Sequence, residues 1–131
     1  LTHDLPTRDA TLPLLCWLIM SKEKGLKISE ILNLLPKRFT ESGSVKNFPT
    51  DLSQKIVEDP KTVELIQNKF GQIKEINTLD GLRIILLNEE IVHLRASKNA
   101  PEFRNYTEAD SRDRAKELSQ ELNDMIASWN K

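Results

Sequence analysis

Two arginines separated by a short polar run carry the clearest chemical signal in the sequence. The stretch Arg95-Ala96-Ser97-Lys98-Asn99-Ala100-Pro101-Glu102-Phe103-Arg104 holds three cations and one carboxylate, a local charge of +2 in a chain of formal net charge −1. Its ends read as strands and its middle as the loop joining them. Arg95 and Arg104 therefore sit on neighbouring strands and can converge on one point above the loop. Between them lie a hydroxyl, Ser97, an ammonium, Lys98, and a carboxamide, Asn99, and the amides of such a loop can form a concave anion site. A phosphate fits this inventory, because each charge-assisted hydrogen bond from arginine to a phosphate oxygen contributes about 1.5–3 kcal/mol. The plainer alternative is a surface hairpin whose arginines pair with Glu102, Glu108 or Asp110, ion pairs worth only about 0–1 kcal/mol.

The remaining reactive residue types lack partners. His3 lies near the start of the chain, and His93, alternating with Ile91 and Arg95, reads as a satisfied strand histidine. Ser97 has no adjacent base, and Cys16 lies in an apolar run where a thiol behaves as a small hydrophobe. Cys16, His3 and His93 have no zinc-ligand spacing, so no metal site and no internal disulfide is expected. The chain has 131 residues, 19 basic against 20 acidic, a balance that points to neither nucleic acid nor anionic lipid. Its length suffices for a core without staples. The longest apolar run, Leu12 to Met20, is nine residues and contains Pro13, whereas a membrane span needs roughly 20. No signal peptide is visible, and a chain opening on Leu1 is expected to be a fragment of a longer protein. Asn105-Tyr106-Thr107 matches a glycosylation acceptor formally, with nothing else suggesting secretion.

The elements that would position the arginines follow from periodicity and punctuation. Asp9 or Thr11 can cap a first helix that tolerates Pro13 in its first turn and ends at Gly25. Ser29 caps a short second one, stopped by Pro36. These two are too apolar to stand alone. From Lys37 to Pro49, Phe39, Val45 and Phe48 surround Ser42-Gly43-Ser44, which reads as an extended segment with a turn, a hinge or a first strand. Thr50 can cap a helix with Leu52, Ile56 and Val57. Asp59-Pro60 starts the next, which carries Val63, Ile66 and Phe70 on one face and ends at Gly71. Strands are then expected at Ile73–Thr78 and Leu82–Leu87 around the hairpin turn Asp80-Gly81, and at Ile91–Arg95 and Phe103–Glu108. Asp110 or Ser111 caps a last helix whose Ala115, Leu118, Leu122, Met125, Ile126 and Trp129 form one apolar stripe. The expected fold class is α+β, a four-stranded type of antiparallel sheet with helices packed on one face, preceded by a helical segment. The division is residues 1–36, a helical segment and connector that must pack on the rest of this chain or on a missing neighbour, and residues 37–131, an α+β domain.

The run His93 to Asp110 resembles the C-terminal phosphate-binding loop of the alpha-D-phosphohexomutases, most like the bacterial phosphomannomutase/phosphoglucomutase branch. Arg8-Asp9-Ala10, Leu35-Pro36-Lys37-Arg38-Phe39 and Thr78-Leu79-Asp80-Gly81-Leu82-Arg83 are similar to that family's last quarter, in the same order. The resemblance implies that Arg95, Ser97, Asn99 and Arg104, with Lys98 at a position usually held by glycine or asparagine, bind the substrate's phosphate. A left-handed backbone at Lys98 is expected from that usage, at roughly 1–2 kcal/mol. It implies an intact four-domain enzyme that interconverts hexose 1-phosphates and 6-phosphates, of mannose or glucose, with residues 1–36 as the helical end of the preceding domain and its connector. Such enzymes work through a bisphosphorylated hexose activator, a phosphoserine and Mg2+, and a cytoplasmic location is expected. The family motifs TASHNP, DGDxDR and GEMSGH are absent from these 131 residues, so no catalytic residue is expected in this chain and its partners would be the sugar phosphate and the upstream domains. The alternative from another class is a non-catalytic anion-binding or protein-interaction module of similar build.

Overall fold

A computed structural model describes residues 10–130, and the chain divides into two units, residues 1–37 and 38–131. In the first unit, helix α1 spans Thr11–Lys24 and follows Ala10. Thr11 is thus its first residue rather than its cap, and Asp9 lies outside the described residues, as does His3. Gly25 ends the helix in a left-handed conformation, φ 61°, a conformation glycine adopts without steric cost. Helix α2, Ile28–Ile31, runs into a 3₁₀ turn at Leu32–Leu34. Ser29 stands inside α2; the start is secured instead by the Glu30 carboxylate, which accepts from the Lys27 amide at 2.7 Å. Leu14, Leu15, Leu18 and Ile19 of α1 are exposed, in keeping with the apolar excess of this segment.

The second unit is an α+β layer pair. Its elements are β1 (Phe39–Lys46), α3 (Thr50–Glu58), α4 (Pro60–Phe70), β2 (Ile73–Asn77), β3 (Leu82–Leu86), β4 (Ile91–Ala96), β5 (Glu102–Ala109) and α5 (Arg112–Ser128). The sheet is antiparallel in the order β1-β5-β4-β3-β2. It has five strands rather than four, because the segment around Ser42-Gly43-Ser44 is no turn. It runs straight through β1 and pairs with β5 from Phe39 opposite Ala109 to Lys46 opposite Glu102. Gly43 has a packing reason: a Cβ there would come within 2.6 Å of Asn123 Nδ2 and 2.7 Å of Asn105 Nδ2. Helix α5 thus crosses β1 over its glycine. Beneath the crossing, Asn105 donates to Asn123 Oδ1 at 2.8 Å and accepts from Ser119 Oγ at 2.9 Å, so the buried amide is served on both ends.

Strand alternation decides which face is covered. Leu82, Ile84, Leu86, Val92, Leu94 and Phe103 point to the helices and are buried with Ile66 of α4 and Leu122 and Ile126 of α5. Phe48 closes one end, its ring 5.1 Å from that of Phe103. Ile84, Leu86 and Leu94 of the sheet and Leu118 and Leu122 of the expected α5 stripe are all buried. Asp59 and Pro60 start α4 as expected, Asp59 accepting from the Lys61 amide at 2.9 Å, and Ser111 caps α5 by accepting from the Arg114 amide at 3.2 Å. Thr50 begins α3 after Pro49 and is not its cap. The opposite face of the sheet bears Arg83, His93, Arg95, Arg104 and Tyr106, all only partly buried.

Candidate functional site

The two arginines stand on neighbouring strands because β4 and β5 are joined by a loop of only five residues, 97–101. Arg95 and Arg104 are cross-strand partners in the antiparallel register, and same-face partners have Cβ atoms about 4.5–5.5 Å apart. Like charges on directly opposed residues are destabilising unless anions offset them. Each has one. Arg95 Nε donates to Asp80 Oδ1 at 3.1 Å from the turn between β2 and β3, and Arg104 Nε donates to Glu102 Oε1 at 2.6 Å, with a second contact from its Nη2. The turn reaches Arg95 because Gly81, at φ 92°, lies so close to β4 that a Cβ would collide with the Leu94 carbonyl oxygen. The Asp80 pairing differs from the three partners suggested by the sequence, while the Glu102 pairing is one of them. Glu108 is instead joined to Arg38 at 2.8 Å.

The loop itself is tight. The Ser97 amide donates to the Glu102 carbonyl at 3.3 Å, the Glu102 amide to Ala100 at 2.8 Å, and Pro101 accepts from the Phe48 amide at 3.0 Å. Ser97 is buried, and its Oγ accepts from the Asn99 amide at 3.4 Å, a local turn that holds the loop. Lys98 and Asn99 are exposed at the tip. Lys98 does not adopt the left-handed backbone expected of it: among the described residues, the non-glycine ones with positive φ are Asn47 and Glu89. The backbone strain foreseen for a lysine there is therefore absent, and the ammonium stands at the tip without that cost.

The sequence did not single out three further groups at this site. Lys46, opposite Glu102 in the β1–β5 register, donates with its Nζ to Glu102 Oε2, and Ser44 Oγ donates to the same oxygen at 3.2 Å. Glu102 is only 5% exposed. The hydrogen bonds from Lys46 first, and then those from Arg104, hold its carboxyl down at about 2, and Glu102 raises the pKa of Arg104 in return. Asp80 is the third. Local patterning gave no sign of Lys46, since it becomes visible only once β1 is a strand beside β5.

One pleat away from the arginine pair, Arg83, His93, Tyr106 and Ser42 form a row across four strands by register. His93 has its Nε2 2.7 Å from the Asp80 carbonyl oxygen and its ring 5.5 Å from Tyr106. It is the satisfied strand histidine that its spacing suggested. Ser42, Arg83, Ile91, His93, Tyr106 and Glu108 line a shallow depression of about 440 Å³ on this face. Among the described residues no group of three or more His, Cys, Asp or Glu side chains could hold a metal ion, and no helix is long and apolar enough to cross a membrane.

The chain matches known proteins over most of its length. Residues 46–125 match the model of the phosphoglucomutase/phosphomannomutase C-terminal domain. A phosphomannomutase of Salmonella muenchen is 38% identical over 116 residues, covering 85% of this chain and 24% of that protein. A phosphomannomutase of Sinorhizobium fredii (strain NBRC 101917 / NGR234) is 36% identical over 118 residues, 87% of this chain and 25% of that protein. The chain thus spans about a quarter of the length of these curated relatives.

Proposed function

The chain belongs to the phosphoglucomutase/phosphomannomutase family, as its C-terminal domain, and from that premise we propose that its β4–β5 loop anchors the phosphate of a hexose phosphate. The observation that carries this reading is the direct opposition of Arg95 and Arg104 beside a closed five-residue loop. The Asp80 bond uses Nε of Arg95, so its two terminal nitrogens remain for a ligand. Lys98 and Asn99 at the loop tip supply an ammonium and a carboxamide, and Ser97 shapes the loop while its hydroxyl lies at the turn. Two arginines gripping one phosphate fix both its position and its orientation.

In the intact protein, this grip would hold the phosphate that is not being transferred while chemistry proceeds at the other end of a mannose or glucose phosphate. That is catalysis by positioning, which can supply a large part of a rate enhancement without any proton or phosphoryl transfer by the anchoring residues. The described residues offer no cluster suited to Mg2+, and these 131 residues lack the TASHNP serine motif. The phosphoserine, the metal and the response to a bisphosphorylated hexose would belong to the rest of the protein, and this chain alone would be inert. Residues 1–36 would close the preceding domain, whose remainder would cover the exposed leucines of α1. A cytoplasmic location fits substrates of this kind.

The test is a titration of the 131-residue chain, followed by amide chemical shifts, with inorganic phosphate and then with the 1- and 6-phosphates of mannose and glucose. Shifts should concentrate between Arg95 and Arg104, with an affinity near millimolar, about −4 kcal/mol, since most contacts of a shared site are missing. Shifts scattered over the surface, or none at high millimolar ligand, would defeat the anchor reading. Turnover by the pure chain would defeat the claim that its chemistry lies elsewhere.

A further inference from the structure

Glu102 is the one carboxylate within the cationic run, and by Coulomb's law alone it should oppose an incoming anion. Its geometry says otherwise. It is nearly buried between β1 and β4, its Oε1 is taken by Arg104, and its Oε2 is taken by Lys46 and Ser44. Neither oxygen is left to face a ligand. Lys46, by contrast, has a side chain that is 71% exposed although its Nζ is tethered at Glu102, so the ammonium is held at the solvent edge of the pair. Arg104 is bound to Glu102 through Nε and Nη2, which fixes the plane of its guanidinium.

We propose that Glu102 is a positioning residue for the anion grip, holding Arg104 and Lys46 side by side so that Lys46 becomes a further ligand of the same phosphate. This rests on the phosphate-anchor reading and adds to it a lysine from a strand outside the loop. The charge count agrees. Lys46, Arg95, Lys98 and Arg104 set against Asp80 and Glu102 leave a local charge of +2, the complement of a phosphate monoester dianion. The carboxylate stays ionised throughout the neutral range, its carboxyl being held at about 2. With Glu102 removed, two long cationic side chains beside Arg95 would repel one another and lose their common tether, and an anion would have to order them on arrival.

The experiment is a titration of the 131-residue chain with inorganic phosphate at moderate fixed salt, comparing the parent with Glu102→Gln and Lys46→Met. Glu102→Gln should raise Kd about fivefold and Lys46→Met about threefold, each having lost part of a charge-assisted contact. The Arg104 Nε–H resonance should broaden in Glu102→Gln while that of Arg95 stays sharp, a local signature that a general loosening of the fold would not give. Unchanged or tighter binding by Glu102→Gln would overturn the proposal, showing a carboxylate that masks the site. So would an unchanged Kd for Lys46→Met, which alters an exposed side chain and decides the matter alone if the glutamine variant does not fold. A parent that shows no loop shifts would take down the anchor reading and this inference together, whereas a parent that binds beside indifferent variants would remove only the inference.

Discussion

Replacing Arg95 by alanine separates anchoring from chemistry. In the folded chain Arg95 spends one donor, Nε, on Asp80, whose side chain is 66% exposed. An ion pair of that exposure contributes about 0–1 kcal/mol, so the unit should melt within a few degrees of the parent, at roughly 4–8 °C per kcal/mol for a domain of this size. The ligand loses much more. One or two charge-assisted bonds at about 1.5–3 kcal/mol each, trimmed by solvent because the arginine side chain is 34% exposed, leave about 2–3 kcal/mol. That is a fall of about 30- to 150-fold in kcat/KM of the intact protein for a hexose 1-phosphate. Phosphorylation of the upstream serine by a bisphosphorylated hexose should be slowed yet remain possible, because the donor serine would lie in another domain. Arg95→Lys should regain the charge but not the fork, and so only part of the loss. The assay is steady-state kinetics beside a thermal melt of each variant. If Arg95→Ala melts normally and keeps kcat/KM within about twofold of the parent, the loop is an ordinary surface hairpin and the site assignment is wrong.

Two further perturbations test the framework that holds the arginines. Gly43→Ala puts a methyl within 3 Å of Asn105 and Asn123 and must part α5 from β1 or break the hydrogen bond between the Asn105 and Asn123 side chains. A cost of about 1–3 kcal/mol, a melting temperature lower by roughly 5–15 °C, is expected; a melt within about 2 °C of the parent would mean that α5 does not press on β1 there. The acid limb of stability should reflect two glutamates. Hydrogen bonds from Arg114 lower Glu90, and those from Lys46 and Arg104 bring Glu102 to about 2. Carboxyls depressed in the folded state stabilise it above their unfolded pKa, about 4.3, and that contribution is lost as pH falls through the folded value. Urea midpoints should therefore be level from pH 7 to about 5 and decline toward pH 2, more shallowly in a Glu90→Gln, Glu102→Gln double variant. An equal decline in both proteins would assign acid sensitivity to other groups.

The local signals in the sequence reached the elements that announce themselves and left open, as hinge or first strand, the one that depends on a distant partner. Asp59-Pro60, Gly71, Asp80-Gly81 and the stripe of α5 are read from their own neighbours, because a cap, a stop, a turn and an amphipathic face are all local physics. Strand β1 is not local. Its Ser42-Gly43-Ser44 has the composition of a turn, and what makes it a strand is the antiparallel pairing with β5, some sixty residues later. The glycine marks the closeness of α5, a tertiary demand that composition alone cannot distinguish from flexibility. Ser29 and Thr50 show the smaller form of the same limit. Each has the right side chain for a cap, but the helix starts at Ile28 and at Thr50 itself, with Glu30 securing the first of them.

The candidate site divides along the same line. That Arg95 and Arg104 stand opposite one another follows from a short loop between two strands, and no partner need be known to see it. What each arginine does in the meantime depends on residues that only the sheet brings near: Asp80 from the neighbouring hairpin and Lys46 from the added edge strand. Surface ion pairs and a phosphate grip need not exclude one another in this geometry. Carboxylates occupy one edge of each guanidinium, which keeps a cluster of like charges folded while no ligand is present. In the proposed reading, the donors those carboxylates leave over would meet an anion of charge near −2. A site balanced in this way would bind weakly and release readily, which is what the proposed anchoring of one end of a sugar phosphate would require while the other end reacts.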